Sequence, residues 1–410
     1  MTPTLATPAP IGRRLFVHVG GYDPVSPEAA HRRFCRELTR FAETWGVAAT
    51  AGGAVVGPDI ADWSVETAGP DWRVVTDVRL LRWDDVMEEA RGRGRAERLS
   101  RGLSAFGSFV RGGALGGYLR LAWRYALFFL FPFGLLAGCI LGGLAAALIL
   151  ARPTGWIVAA PVGVAIAAGL VVLAVRRLPI DHLLDDWIFA ADYVRRDDPV
   201  LGPRLDRLAG AIAAEARAGR YDEIVILGHS LGAVLAVDLV DRLLRDDPDV
   251  GGARPAIALV TVGSSIPKIG LHAGSGRFRA ALGRVALSGP FWVEYQALTD
   301  AMNFYKTDPV RACHAGPRGP LIRIVRISRM LHRPYYDRIK RNFFRVHNQF
   351  VSANDVRAAY DYFMLACGPM PAQVQARDPR GAEAGIGADG SLMSIDQGSQ
   401  TAPLPGGLAG

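Results

Sequence analysis

Residues 228–232, Gly-His-Ser-Leu-Gly, have the types and spacing that place a serine nucleophile on a tight turn. An apolar run at residues 223–227 leads directly into this motif, and an amphipathic run at residues 231–245 leads directly out of it. A strand, a tight turn and a helix in this order lift a serine hydroxyl above a sheet, and the flanking glycines remove side chains that would collide there. The amino end of the helix favours negative charge that develops beside Ser230. The motif therefore predicts that Ser230 attacks a carbonyl carbon.

The elements around Ser230 alternate between strand and helix patterns. Runs typical of strands occupy residues 14–19, 72–83, 223–227, 256–262, 292–298 and 321–328. Helical patterns occupy residues 84–100, 231–245 and 355–367. A further helix is opened by Ser26, Pro27 and Glu28 and ends near Gly46. This alternation predicts an α/β fold with a doubly wound, mostly parallel sheet.

Two long apolar runs interrupt this pattern at residues 125–151 and 155–175, and neither contains a charged residue. Each run is long enough to cross about 30 Å of hydrocarbon at a rise of about 1.5 Å per residue. Because only residues 152–154 connect them, the runs predict a transmembrane hairpin whose two flanks lie on the same side of the membrane.

Arginine residues are concentrated on both flanks of this hairpin. They are Arg91, Arg93, Arg95, Arg98, Arg101, Arg111, Arg120 and Arg124 before it, and Arg176 and Arg177 after it. The turn contains only Arg152. Since cationic residues collect on the cytoplasmic side of membrane proteins, the pattern predicts a multi-pass protein of the cell (inner) membrane with both flanks in the cytoplasm. The net charge of +8 then fits an acidic membrane surface, and nucleic acid is not expected as a partner.

The strand, the GHSLG motif and the helix together resemble the α/β-hydrolase superfamily, in particular its lipases and esterases that carry a GHSLG motif. The resemblance covers most of the sequence outside the hairpin, residues 14–83 and 203–367. It implies that an acid follows the second strand after the nucleophile, and that a histidine follows the next strand. Asp300, directly after the run at residues 292–298, is the implied acid, and Asp308 is the alternative.

The resemblance also implies a base and an oxyanion hole. The implied base is His347, just ahead of the last predicted helix, with His332 in an arginine-rich stretch as the alternative. The implied oxyanion donors are the backbone N–H of Leu231 and that of Gly21 or Tyr22, in the loop after the first strand. The sequence contains no metal-ligand cluster, P-loop or dinucleotide fingerprint, so no cofactor or metal is expected.

The sequence therefore predicts a membrane-anchored serine hydrolase that cleaves the ester bond of a lipid or small amphiphilic substrate. The predicted organisation is a flexible N-terminus at residues 1–13, a first part of the hydrolase domain with a charged linker at residues 14–120, the hairpin at residues 121–177, a second part of the hydrolase domain at residues 178–368 and a disordered tail at residues 369–410. The four scattered cysteines predict neither a disulfide framework nor a zinc site. The alternative function is a catalytically inactive hydrolase-fold protein that acts as a membrane scaffold or binding module. The oligomeric state is not predicted.

Reporter fusions test the predicted orientation. Because cationic flanks stay in the cytoplasm, a fluorescent reporter that folds only in the cytoplasm should be active at the C-terminus. A phosphatase that needs an oxidising periplasm should be inactive there and active when it is inserted after Arg152, in the turn. Phosphatase activity at the C-terminus would contradict the orientation.

Overall fold

The computed structural model describes residues 9–195, 200–250 and 255–393. Within these residues the chain has an α/β fold with a nine-stranded mixed sheet, which confirms the predicted α/β class. Residues 1–8 of the predicted flexible N-terminus and residues 394–410 of the predicted tail lie outside the described residues.

Nine strands make up the sheet in the described part of the chain. They are β1 Arg13–Val19, β2 Ala48–Ala51, β3 Val55–Val56, β4 Ile60–Ala68, β5 Arg73–Leu81, β6 Glu223–His229, β7 Ala256–Val262, β8 Phe291–Ala297 and β9 Leu321–Val325. Their order is β2-β4-β5-β1-β6-β7-β8-β9, and β3 pairs with β4. The strands from β5 to β9 in this order are parallel, whereas β2, β4 and β5 pair in antiparallel fashion at one edge.

The helices of the described residues fall between these strands and after them. They are α1 Pro27–Trp45, α2 Asp84–Arg91, α3 Arg95–Arg111, α4 Ala114–Leu121, α5 Trp123–Thr154, α6 Trp156–Arg177, α7 Ile180–Arg195, α8 Leu201–Ala218, α9 Gly232–Asp246, α10 Ile266–Gly270, α11 Gly276–Leu287, α12 Pro309–Ala312, α13 Arg333–Ile339, α14 Phe343–Asn348, α15 Tyr362–Cys367 and α16 Ala372–Arg377. Short 3-10 turns cover Ile327–Arg329, Gln349–Val351 and Gly381–Ala384.

Helix α1 shows how local chemistry fixes an element. Ser26 accepts a hydrogen bond from the backbone of Ala29, Pro27 occupies the first helical position, and Gly46 ends the helix with a φ of 64°. Its apolar side chains, Phe34 and Phe41 among them, pack in the core cluster that also holds strand residues of β1 and β6. Helix α9 packs against β1, β6 and β7. The sequence predicted both helices.

Strands β2, β3 and β4 were not predicted. The described chain has no strand ahead of Arg13, and the antiparallel edge of the sheet is instead formed by residues 48–68. Strand β4 has alternating burial, with Trp63 and Val65 inside and Ser64 and Glu66 less buried. The alternation of apolar and polar residues is present in the sequence of β4, but small and charged residues make the strand as a whole only weakly apolar.

The end of the described chain corrects two predictions. The helix predicted at residues 355–367 begins only at Tyr362, because Asp361 is extended and its carboxylate accepts hydrogen bonds from Phe363 and Met364. The tail predicted to be disordered from residue 369 is ordered up to residue 393 and includes α16. The N-terminus predicted to be flexible is also ordered from residue 9, and Ile11 is buried.

A buried ion pair explains why the C-terminal segment is ordered. The guanidinium of Arg14 on β1 lies 2.8 Å from the carboxylate of Glu223 on β6, and both side chains are buried. Arg14 also donates to the carbonyl oxygens of Gly368, at 2.7 Å, and Met370, at 2.8 Å. The other carboxylate oxygen of Glu223 accepts the N–H of Ala372 at 2.8 Å. These polar backbone groups are satisfied only if residues 368–372 stay in place.

The described residues form two compact units. The first consists of residues within Met1–Asp85, Asp198–Gly270 and Ser275–Gly410, and it contains the whole sheet. The second consists of residues within Val86–Asp197 and Leu271–Gly274. The second unit is thus larger than the predicted hairpin, because it includes α3, α4 and α7.

The second unit contains two helices that are long and apolar enough to cross a membrane. They are α5, with a mean hydropathy of 2.4 in its most apolar window, and α6, with 2.6; only 17% of each window is buried. The two helices pack through small residues, since a Cβ atom on Gly143 would lie 2.6 Å from the Cβ of Ala167. Beside them, Arg98 of α3 is buried against Asp185 of α7, with a nitrogen–oxygen distance of 3.0 Å.

Removal of one partner of the Arg14–Glu223 pair should destabilise the first unit strongly. The Arg14→Met substitution leaves the Glu223 carboxylate buried without its cation, which costs about 3–5 kcal/mol of unfolding free energy. Denaturant titration of the detergent-solubilised protein, followed by circular dichroism, measures this cost.

The matched control is Arg73→Met, which breaks an exposed pair with Glu66 and should cost at most about 1 kcal/mol. The double substitution Arg14→Met with Glu223→Met should recover part of the loss, because no unpaired buried charge remains. Equal stability of the Arg14→Met and Arg73→Met proteins would contradict the role given to the buried pair.

Candidate active site

Ser230 occupies a strained turn between β6 and α9. Its φ of 56° lies in the left-handed region, which costs a residue other than glycine about 1–3 kcal/mol. Its N–H donates to the carbonyl of Val262 at 3.1 Å, and its carbonyl accepts the N–H of Ser265 at 3.1 Å. Residues 262–265, at the end of β7 and directly after it, therefore hold both the N–H and the carbonyl of Ser230 and maintain its strained conformation.

The glycines of the motif are required by close packing at this turn. A Cβ atom on Gly232 would collide with the carbonyl oxygens of Val19 and Gly20. A Cβ atom on Gly228 would lie 2.6 Å from the Cα of Ala233. Since β1 and β6 are paired in register up to Val19 and Gly228, the loop after β1 lies directly on the first turn of α9.

The loop after β1 also approaches the serine side chain. A Cβ atom on Gly21 would lie 2.8 Å from the Cβ of Ser230 and 3.4 Å from its Oγ. Within the described residues, the N–H groups of Gly21 and Leu231 donate no hydrogen bond to another group. These two donors border the serine, as expected for an oxyanion site. Tyr22, the alternative donor, packs edge-on against Trp83 with ring centroids 5.8 Å apart.

His347 and Asp300 form a buried hydrogen-bonded pair. Nδ1 of His347, on α14, donates to Oδ2 of Asp300 at 2.7 Å, and both side chains are buried. Asp300 follows the carboxyl end of β8, and its Oδ1 accepts the N–H of Met302 at 2.8 Å. Because a carboxylate only accepts, it fixes the proton of the imidazole on Nδ1 and leaves Nε2 as an acceptor.

The imidazole of His347 lies against the segment that holds Ser230. A Cβ atom on Gly263, which follows Val262 and has a φ of 52°, would lie 3.1 Å from Cε1 of His347. Nε2 of His347 is buried and has no hydrogen-bond partner among the described residues. The Ser230 hydroxyl is thus not hydrogen-bonded to it.

The two alternative residues have other roles in the structure. The carboxylate of Asp308 caps α12 by accepting from the N–H groups of Val310, at 2.9 Å, and Arg311, at 3.1 Å. His332 is exposed and is the residue just before α13. The structure therefore pairs His347 with Asp300, whereas the catalytic roles of both residues remain predictions.

The other histidines near the turn are held neutral by burial. His229 stacks on His347 with ring centroids 4.5 Å apart, and its Nε2 lies 3.3 Å from the carbonyl oxygen of His347. Burial, and then the neighbouring His347, lowers the pKa of His229 well below its usual value. Burial lowers the pKa of His18 to about 3. His229 thus packs against the ring of His347 and contacts its backbone carbonyl.

Sequence reasoning missed two residues that support the turn. Gly263, which has a positive φ, was missed because the side chains that leave no room for a Cβ atom there, His347 and Phe350, are distant in the chain. Glu294 on β8 was also missed; it accepts a hydrogen bond from the hydroxyl of Thr261, and burial raises its pKa to about 7. A carboxylate in a strand whose only other amide or charged side chain is Gln296 was the signal that could have identified it.

Substitutions at the two aspartates separate their roles. Asp300→Asn should lower ester turnover by about 10⁴-fold, because an amide at this position no longer selects the imidazole tautomer that accepts a proton at Nε2. Asp308→Asn should leave turnover nearly unchanged, since asparagine caps helices as well as aspartate does. Hydrolysis of a short chromogenic ester by the detergent-solubilised proteins measures both effects. Greater damage from Asp308→Asn would show that the pair has been assigned wrongly.

Comparisons of the chain with known proteins identify no relative. No protein-family model matches the chain, and neither a curated protein nor a solved structure matches it. An activity for this chain therefore rests on the geometry of its own residues.

Proposed function

We propose that this protein is a membrane-anchored serine hydrolase that cleaves ester bonds and has a doubly wound, α/β-hydrolase-like domain. The observation that carries the proposal is the combination of a strained Ser230 with the buried His347–Asp300 pair packed against the segment that holds it. A strained serine between a strand and a helix is the geometry of a nucleophile elbow. A carboxylate that orients an imidazole is the arrangement that activates such a serine.

The proposed reaction has two steps. In the first, Oγ of Ser230 bonds to the ester carbon while Nε2 of His347 takes the hydroxyl proton; this proton then leaves with the alcohol, whose bond to the carbon breaks. In the second, water attacks the acyl-enzyme, His347 takes a proton from the water, and the proton returns to Ser230 as the carboxylic acid leaves. Asp300 stabilises the imidazolium in both steps. The N–H groups of Leu231 and of Gly21 or Tyr22 hold the negative oxygen of each tetrahedral intermediate.

The same proposal places the protein in the cell (inner) membrane. Helices α5 and α6 support it, because most of their apolar surface is exposed and they pack through small residues, as helices do in lipid. The arginines on both flanks support a cytoplasmic position for the hydrolase domain. A domain anchored at the bilayer meets lipids and amphiphilic esters at high local concentration, so these are the proposed substrates.

A fluorophosphonate probe tests the nucleophile. The probe should label the detergent-solubilised protein through Oγ of Ser230, and Ser230→Ala should abolish labelling while the unfolding transition is retained. The matched control is Ser265→Ala, which should still be labelled because Ser265 holds Ser230 only through its backbone N–H.

Two outcomes of this experiment oppose the proposal. Equal labelling of the Ser230→Ala protein would mean that another residue reacts. If the folded native protein is not labelled, in detergent or in lipid, under conditions that label a reference serine hydrolase, the inactive scaffold is favoured. The inactive scaffold fits one observation, namely that Nε2 of His347 forms no hydrogen bond with Ser230.

A further inference from the structure

The packing register of α5 and α6 shows where a membrane boundary would fall in the second unit. At about 1.5 Å per residue, the 32 residues of α5 span about 48 Å and the 22 residues of α6 span about 33 Å. Gly143 and Ala147 of α5 meet Gly163 of the antiparallel α6. Counting residues from this contact places Arg177, at the end of α6, level with the region of Phe131 on α5. The first two turns of α5 therefore extend beyond α6.

Helix α3 packs on α5 close to this level. The ring of Phe106 lies 4.1 Å from that of Phe133 and 5.2 Å from that of Phe129, measured between centroids. Phe109 contacts Phe129 at 6.3 Å. These contacts join about one turn of each helix, as expected for helices that cross. The crossing point lies level with Arg176 and Arg177, where cationic residues mark the end of an apolar span.

One face of α3 is apolar and exposed. Leu99, Leu103 and Val110 are 40%, 51% and 40% exposed, and their spacing of four and seven residues places them in a single stripe. The buried face of the helix is a different one, formed by Arg98, Gly102, Ala105 and Phe109. An exposed apolar stripe that adjoins an apolar span, through Phe106, is a surface suited to acyl chains.

Cationic side chains accompany this stripe. Arg95 and Arg111 of α3 and Arg120 of α4 form no ion pair with a carboxylate in the described part of the chain. The guanidinium of Arg111 folds back over Gly107, where the missing side chain leaves room for it. An apolar stripe flanked by unpaired arginines is complementary to the anionic headgroups and acyl chains of one leaflet.

We propose that α3 lies in the plane of the membrane, at the boundary between headgroups and acyl chains of an anionic leaflet, with Leu99, Leu103 and Val110 inserted. This inference rests on the membrane anchoring proposed above and is independent of the hydrolytic chemistry. It gives the second unit a contact with the lipid surface in addition to the two spans.

Spin labels at single cysteines test the position of α3. Full-length variants carry a nitroxide at Leu103→Cys on the stripe or at Ser104→Cys, the matched position on another face, in bilayer discs that contain anionic lipid. The background is Cys35→Ser, because the other three thiols are buried, and this parent is the unlabelled blank. Collision with oxygen, which concentrates in lipid, and with a water-soluble nickel complex is measured for each label. We expect oxygen to dominate at residue 103 and nickel at residue 104.

A third label, at Leu148→Cys on the exposed surface of α5, separates the possible failures. If residue 148 reports lipid while residue 103 reports water, α3 is not interfacial although the anchoring stands. If residue 148 also reports water, the hairpin does not cross the bilayer and both proposals fall. An immobilised label at residue 103 that meets neither reagent would show that protein covers the stripe, and would also overturn the proposal. Discs without anionic lipid should lower the oxygen collision rate at residue 103, because the arginines lose their anionic partners; an unchanged rate would contradict the preference for an anionic leaflet.

Discussion

The close approach of the loop after β1 to the first turn of α9 is the constraint on which the candidate site depends. The carbonyl oxygens of Val19 and Gly20 occupy the space where any residue at position 232 other than glycine would place its Cβ. This contact fixes the distance between the turn at Ser230 and the end of β1. It also brings the backbone of Gly21 beside the side chain of Ser230. The strain at Ser230 persists because β1 on one side and the segment after β7 on the other leave its backbone no alternative conformation.

The opposite ends of β1 and β6 carry a second restraint of a different kind. There Arg14 and Glu223 are buried together, and their remaining donors and acceptors are met by the backbone of residues 368–372. A buried ion pair is a costly element unless every polar group in it is satisfied. Residues 368–372 therefore stabilise the pairing of β1 with β6 through their backbone groups, although they form no strand.

The parts of the molecule that the sequence could predict are those with local causes. The serine turn has its strand, its glycines and its helix within one short segment, and α1 carries its own capping residues. The pairing of Asp300 with His347 could be anticipated only through the resemblance to a family, since the position of Asp300 directly after a strand indicates a role only when the family's chain order is assumed. Strands β2 to β4 pair with near neighbours in the chain, but small and charged residues interrupt their apolar alternation, so the sequence did not predict them. Residues 369–393 could not be predicted, because partners far away in the chain order them. Gly263 belongs with residues 369–393, since the side chains that crowd it lie on α14 and in the turn that follows α14.

The position of the second unit within the chain has a consequence for biosynthesis. Strand β1 lies between β5 and β6, but residues 82–222, which include both apolar helices, separate β5 from β6 in the chain. A ribosome therefore completes β1 to β5 and then α5 and α6 before it releases β6. During that interval one edge of β1 has no partner, and an unpaired central strand is a template for aggregation. Insertion of α5 and α6 into the proposed membrane while translation continues would hold each nascent chain apart from its neighbours. This separation would last until β6 is synthesised and pairs with the free edge of β1.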